Sequence, residues 1–297
     1  AFKSQNEAVK WYLKGLNESG LCLMDNLKRH PNPLTQLRLF NFFCIFHLVR
    51  YMALLEAFYG GENIRPVLLD FSGIAPSQSS VARASEMAYT QMHKSINRFY
   101  AWGYAQKLKE KDYSKEDLLQ SETPVYDEKK KASVEFSTLW NLAKERASAC
   151  ATDDAARLVF GETMYDMLAL EASSHPVNCL KILGTSAGML YPPDQMHPNK
   201  RFVLSQDILE MILRSTVSPD EVLSGNDMRN RLWERFGIII GGSTYEIEKL
   251  QSSGMLLQID EDSLERNFTS FAALLESMDF AEVMADGILQ IRLGGSD

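Results

Sequence analysis

Apolar side chains recur at three- and four-residue intervals through most of the first 190 positions, the spacing that lines one face of an α-helix. Ala8, Trp11, Tyr12 and Leu16 follow Ser4-Gln5-Asn6-Glu7, which reads as a capping box, and Gly20 closes the first predicted helix. A shorter helix over 21–28 precedes the break at Pro31-Asn32-Pro33. Pro33 suits the first position of a long helix that ends near Tyr59, before Gly60-Gly61. Leu37, Phe40, Cys44, His47, Tyr51, Leu54 and Leu55 mark one face of it, while Phe42, Phe43, Phe46 and Val49 spill onto others. A helix apolar nearly all round is one enclosed by neighbours. The pattern therefore predicts the central helix of a bundle, among the most buried elements of the protein.

The compact run Pro66–Gly73 reads either as a short buried strand or as an extended connector. Another long helix begins within Ser77–Ser80, with Ala84, Met87, Ala88, Met92, Ile96, Phe99, Tyr100 and Tyr104 as its stripe. Residues 112–131 are polar and predict an exposed loop with one helical turn at Lys115–Leu119. Helices resume over 132–149, 153–172 and 176–190. The run Tyr191–Asn199 holds three prolines and reads as a linker.

After Arg201 the pattern changes. Ile208, Met211, Ile212 and Val217 predict one helix, and Met228, Leu232, Trp233 and Phe236 a second. Gly237–Gly242 reads as a small strand, and Tyr245, Ile247 and Leu250 as a third helix. A weak strand follows over 255–259. A last helix over 263–278, capped by Asp262 or Ser263, runs into a hairpin of 280–284 and 288–293 turned at Asp286-Gly287. The predicted fold class is mainly α: a helical bundle body over 1–190, a linker over 191–200, and a small α+β domain over 201–297. Strands are expected mainly after Phe236.

Charge sharpens that division. The chain of 297 residues carries a formal charge of −8, and Lys200–Asp297 alone holds 9 Lys/Arg against 17 Asp/Glu. Residues 1–199 are formally neutral, so the acidity belongs to the last third. Cys22, Cys44, Cys150 and Cys179 lie too far apart for zinc-ligand pairs and read as buried free thiols of a reducing cytoplasm. Ala1-Phe2-Lys3 has no apolar signal core behind it, although this start need not be the native one. Leu39–Val49 is free of charge, but its eleven residues fall well short of the about 20 a bilayer span needs.

Few residues suggest chemistry. Gly237–Gly242 lacks both the GxxxxGK[ST] lysine and the GxGxxG spacing, and there is no GxSxG. The five histidines include no pair at helical metal-ligand spacing, and His47, inside an apolar helix, reads as a core residue before a base. Asp70-Phe71-Ser72-Gly73 puts a carboxylate and a hydroxyl after an apolar run. It reads as a capped turn at a strand end, with a hydrolase using Asp70 as the sharper alternative. Glu162 and Asp166 share a helix face, and Glu246 with Glu248 reads as a solvated pair. Lys107–Lys111 and Lys129–Lys131 are interleaved with acids and read as solvated helix ends. No metal or cofactor is expected.

The helix and hairpin over Leu264–Leu293 resemble a winged-helix domain, which implies nucleic-acid binding. The predicted helix before the hairpin offers only Arg266 as a base, with Asn267 beside it, and the hairpin adds Arg292. Glu265, Glu276, Glu282 and the run Asp260-Glu261-Asp262 oppose phosphate. The acidity predicts contact with a protein, with Arg266, Asn267 and Arg292 as the interaction candidates. Pro66–Gly73 followed by Ala82–Tyr89 resembles the accessory subunits that accompany motor ATPases and nucleases in bacterial anti-phage systems. That resemblance implies a non-enzymatic adaptor subunit, with an ATPase or nuclease subunit as partner and no membrane role. A winged-helix DNA-binding protein is the alternative, and the Asp70 hydrolase stands third.

Overall fold

A computed structural model describes the chain outside residues 1–5, 61–63, 125–133, 172–175, 196, 254–258, 286 and 294–297. The fold is mainly helical. In order come α1 (Glu7–Arg29), α2 (Pro33–Ala53), α3 (Leu55–Gly60), β1 (Val67–Leu68), α4 (Ser80–Glu110), α5 (Lys115–Gln120), α6 (Val134–Ser148), α7 (Asp153–Glu171) and α8 (Pro176–Ser186). The chain continues through β2 (Leu190–Tyr191), β3 (Arg201–Phe202), α9 (Gln206–Arg214), β4 (Val222–Ser224), α10 (Gly225–Phe236), β5 (Ile238–Ile239), α11 (Thr244–Ser252), α12 (Glu261–Ser277), β6 (Ala281–Val283) and β7 (Leu289–Arg292). Among the described residues, no helix is long and apolar enough to cross a membrane.

The chain forms two compact units, one from 1–92 with 180–297 and one from 93–179. This division differs from the one read at 191–200. The proline-rich stretch is not a free linker: β2 and β3 pair antiparallel across it, and the buried Lys200 ammonium donates to the carbonyls of Pro192 and Asp194. Residues 201–297 pack with the N-terminal helices, α10 on α1 and α9 on α2.

In the first unit, α1 is one continuous helix. The Asn6 side chain accepts from the amides of Ala8 and Val9 and starts it, whereas Ser4 of the expected capping box lies outside the described residues. Gly15 lets α1 approach α10: a Cβ there would lie 2.3 Å from the Arg235 carbonyl oxygen. α2 begins at Pro33, as the sequence predicts, with Asn32 as its N-cap. The enclosure expected of α2 does not hold. Leu39, Phe43, Phe46, His47, Val49 and Arg50 are buried, but Leu34, Leu37, Phe40 and Leu48 are exposed, and so is Cys44. Neighbours cover only part of its circumference, because α1, α9 and α3 are the elements packed on it.

Strands also fall differently from expectation, since β1 to β4 all precede Phe236. The Val67–Leu68 run is a strand, pairing parallel with Ile238–Ile239 of β5. The three-stranded antiparallel sheet has the order β4-β7-β6, so the last strand lies between the other two and Ile291 pairs with both Leu223 and Ala281. The strand expected over 255–259 lies almost wholly outside the described residues.

The second unit is a helical assembly whose core is Leu118, Phe136, Trp140, Ala143, Ala147, Ala156, Phe160 and Met167. Trp140 meets Phe160 edge-on at 4.7 Å between ring centroids. The α5 turn expected at Lys115–Leu119 is present, held by a reciprocal Ser114–Asp117 capping box.

Candidate functional site

Asp70 closes β1 and is 1% exposed. One carboxylate oxygen accepts from the Ser72 amide at 2.9 Å and the Ser72 hydroxyl at 2.6 Å, the geometry of a side-chain-capped turn. The other lies 3.2 Å from Nε of Arg201, itself buried, whose Nη1 donates to the Ile74 carbonyl at 2.9 Å. Arg201 also sits over the Tyr191 ring. This arrangement holds the 70–74 turn on β3. The carboxylate is buried and bonded to the hydroxyl of the half-buried Ser72, with no histidine among the polar contacts described around them. Arg201 went unremarked in the sequence because its partner lies 131 positions away.

Asn267 belongs to the same region and not to a surface. It is 1% exposed. Its Oδ1 accepts from the Phe71 amide at 2.7 Å, and its Nδ2 donates to the carbonyls of Leu69 at 2.8 Å and Ile240 at 2.7 Å. It is therefore withdrawn as an interaction candidate. The sequence carried the signal: Asn267 stands three residues after Leu264 and four before Phe271, on the inward face of α12.

In the glycine-rich run after α10, the Ile240 and Gly241 amides are taken up within the fold. Glu246, read as a solvated carboxylate, is 1% exposed, and its Oε1 accepts from the Ile240 amide at 3.0 Å and the Gly241 amide at 3.3 Å. Its Oε2 accepts from the Ser243 hydroxyl at 3.0 Å. Arg229, also buried, donates to the Gly241 carbonyl and lies 4.1 Å from the Phe268 ring centroid. An internal carboxylate thus occupies the place an anion would take in a phosphate loop.

His47 packs among Tyr12, Phe43, Phe46 and Phe236, with its Nε2 3.3 Å from the Ser19 hydroxyl. Burial, helped by the Arg50 charge, pulls its pKa down to about 3. A ring held neutral in an aromatic cluster is a core residue.

In the second unit Glu162 and Asp166 do share a face of α7. They line an open cavity of about 200 Å³ with Lys94, Asn97, Arg98, Ala101 and Tyr165. Burial and the Glu162 charge raise the Asp166 carboxyl above its ordinary range, while Glu162 is bound to Arg146 at 2.7 Å. Charges of both signs therefore face this cavity. Among the described residues, no cluster of three or more His, Cys, Asp or Glu could hold a metal ion.

The two other interaction candidates are on the surface. Arg266 is exposed on α12, its guanidinium reaching the Ser263 hydroxyl and the Asp262 carbonyl. Arg292 is exposed on β7, 3.8 Å from Glu282 of β6. Around them Glu261, Asp262, Glu265 and Glu276 are exposed along α12. The hairpin presents exposed Val283, Met284 and Ile288. The surface is thus acidic on its helix and apolar at its hairpin tip. Compared with protein-family models, with curated proteins and with solved structures, the chain matches none.

Proposed function

We propose that this chain is a non-enzymatic adaptor subunit of a bacterial multi-protein complex, and that it binds another protein through its acidic, winged-helix-like C-terminal surface. The observation that carries the reading is the exposed apolar hairpin tip, Val283, Met284 and Ile288, beside a helix whose exposed charges are mostly acidic. Apolar side chains ringed by charge are what a protein partner buries. The winged-helix-like reading draws support from the order α9, β4, α10, β5, α11, α12, β6, β7, in which β5 and α11 stand between the second helix and the helix before the hairpin and the last strand is in the middle of its sheet. An ATPase or nuclease subunit of an anti-phage system is the partner to which the sequence resemblance points, in the cytoplasm and away from membranes.

DNA binding is the second reading, favoured by Arg266 and Arg292 remaining exposed on the helix and hairpin. The hydrolase reading has less to draw on, since Asp70 is sealed against Ser72 and Arg201. The test uses the full chain, because residues 201–297 share their core with the N-terminal helices. The chain is titrated with duplex DNA over a range of salt. The adaptor reading expects no submicromolar binding at physiological salt. Submicromolar binding that weakens steeply with salt and is lost in Arg266→Ala puts DNA first. Ile288→Glu should abolish co-purification of the native partner, and retention of that partner would count against the hairpin.

A further inference from the structure

We propose that the exposed apolar face shared by α1 and α2 is a homodimer interface, covered by the same face of a second copy of this chain. Leu13, Leu21 and Met24 of α1 and Leu34, Leu37, Phe40 and Leu48 of α2 are each between 43% and 77% exposed. Leu21 and Met24 flank Gly20, where the Phe43 ring of α2 comes within 3.5 Å of a Cβ position, and Phe40 flanks Phe43. The two stripes therefore border one line of helix contact and form a continuous surface. It amounts to roughly 700 Å² of apolar side chain, above the roughly 300–600 Å² of the largest patch on an ordinary monomer. It approaches the about 800 Å² that each partner contributes to a stable interface of standard size.

The chemistry of the face favours a copy of itself. Leu34, Leu37, Asn41, Cys44 and Leu48 follow the three-four spacing of a coiled-coil seam, with one asparagine among apolar residues. A two-fold axis brings each such stripe onto its equivalent, and paired asparagines fix the register. α2 has no carboxylate, its Arg38 is engaged by Asp207 of α9 at 3.3 Å, and its Arg50 is buried. No net charge on the stripe opposes self-association. The α1 rim carries Lys10, Lys14 and Lys28 with their own carboxylates Glu7, Glu18 and Asp25. That mixed-sign rim can meet its own copy, and it lacks the excess of cations by which a helix face binds lipid headgroups. This surface is separate from the C-terminal one, so either proposal can fail alone.

Sedimentation velocity of the full chain over a concentration series tests the interface. A reversible dimer is expected, with Leu37→Glu and Leu48→Glu each weakening it at least tenfold, and Leu142→Glu on α6, equally exposed, leaving it unchanged. All three positions are at the surface, and circular dichroism checks that each variant keeps the wild-type helicity. A short bis-maleimide should join two copies through Cys44, so that Cys44→Ser removes the cross-link and Cys179→Ser does not. A wild-type chain that stays monomeric into the hundred-micromolar range overturns the proposal. So does a dimer indifferent to both Leu37→Glu and Leu48→Glu, or a monomer that uses this face to bind lipid vesicles or a different protein.

Discussion

Two sets of buried polar groups sit on inward helix faces of the same unit and are treated in opposite ways. Asn267 on α12 makes three hydrogen bonds, at 2.7, 2.8 and 2.7 Å, all to backbone groups of the segments around β1 and β5. His47 and Arg50 on α2 are as well buried, yet among the described residues Nδ1 of His47 and both Nε and Nη2 of Arg50 have no hydrogen-bond partner. Burial pulls the Arg50 pKa down to about 10. The difference is one of role. Asn267 supplies backbone groups that β1 and β5 leave bare, so its polarity holds the fold together. The polarity of His47 and Arg50 is a cost that the surrounding aromatic packing carries.

The contrast breaks most visibly at Asn267. Asn267→Leu keeps the volume but strands the Phe71 amide and the Leu69 and Ile240 carbonyls. At about 1–3 kcal/mol for each buried group left unpaired, the loss should reach about 4 kcal/mol. Chemical denaturation measures it, and a loss below about 1 kcal/mol would mean that water replaces the amide at no cost. Next comes Asp70→Ala, which leaves Arg201 buried without its ion-pair partner and should cost about 3 kcal/mol. The expected phenotype is poor folding or assembly. A well-folded Asp70→Ala protein that lost a measurable turnover would instead make Asp70 a catalytic group.

Arg50→Met tests the other side of the comparison. Replacing an unpaired buried charge with an apolar chain of similar length should stabilise the protein, by about 1–2 kcal/mol. Thermal unfolding would then show a higher midpoint than wild type. A clear destabilisation would show that Arg50 satisfies something in the folded protein after all.

What the sequence made legible follows the range of the interactions involved. The Pro33 start of α2, the turn of α5 and the α12–hairpin outline rest on neighbours within a few residues, and periodicity reveals them, although the cap of α12 is Asp260 and not the Asp262 or Ser263 that the sequence suggests. Asn267 and Arg201 depend on partners 196 and 131 positions away, which no local pattern encodes. Asn267 drew notice as the neighbour of Arg266, but a step of one residue turns a helix by about 100°, so one side chain points out and the other in. Leu37 and Phe40 were read as inward for a related reason. On a helix apolar around most of its circumference, spacing alone does not say which face a neighbour covers.

The smallest expected effect couples the two members of the under-satisfied pair. His47 has a folded pKa of about 3 against an ordinary value near 6.5, so the unfolded chain takes up this proton first as pH falls. Its contribution is therefore complete above about pH 6.5 and is lost as pH drops from there towards about 3. By linkage, stability at about pH 6 should be lower than at pH 8 by about 0.8 kcal/mol from this group alone. His47→Phe, which keeps a ring in the cluster of Tyr12, Phe43, Phe46 and Phe236, should flatten that part of the profile. Because the Arg50 charge also depresses the His47 pKa, Arg50→Met should bring the folded value closer to the unfolded one, which shows as uptake of a proton by the folded ring at higher pH. Denaturation of wild type and His47→Phe between about pH 5 and 8 checks the slope, and an NMR titration of the His47 ring in wild type and Arg50→Met checks the shift. An unchanged slope in His47→Phe would assign the acid sensitivity to carboxylates elsewhere. A His47 ring that titrates no higher in Arg50→Met than in wild type would leave burial alone as the cause of the shift.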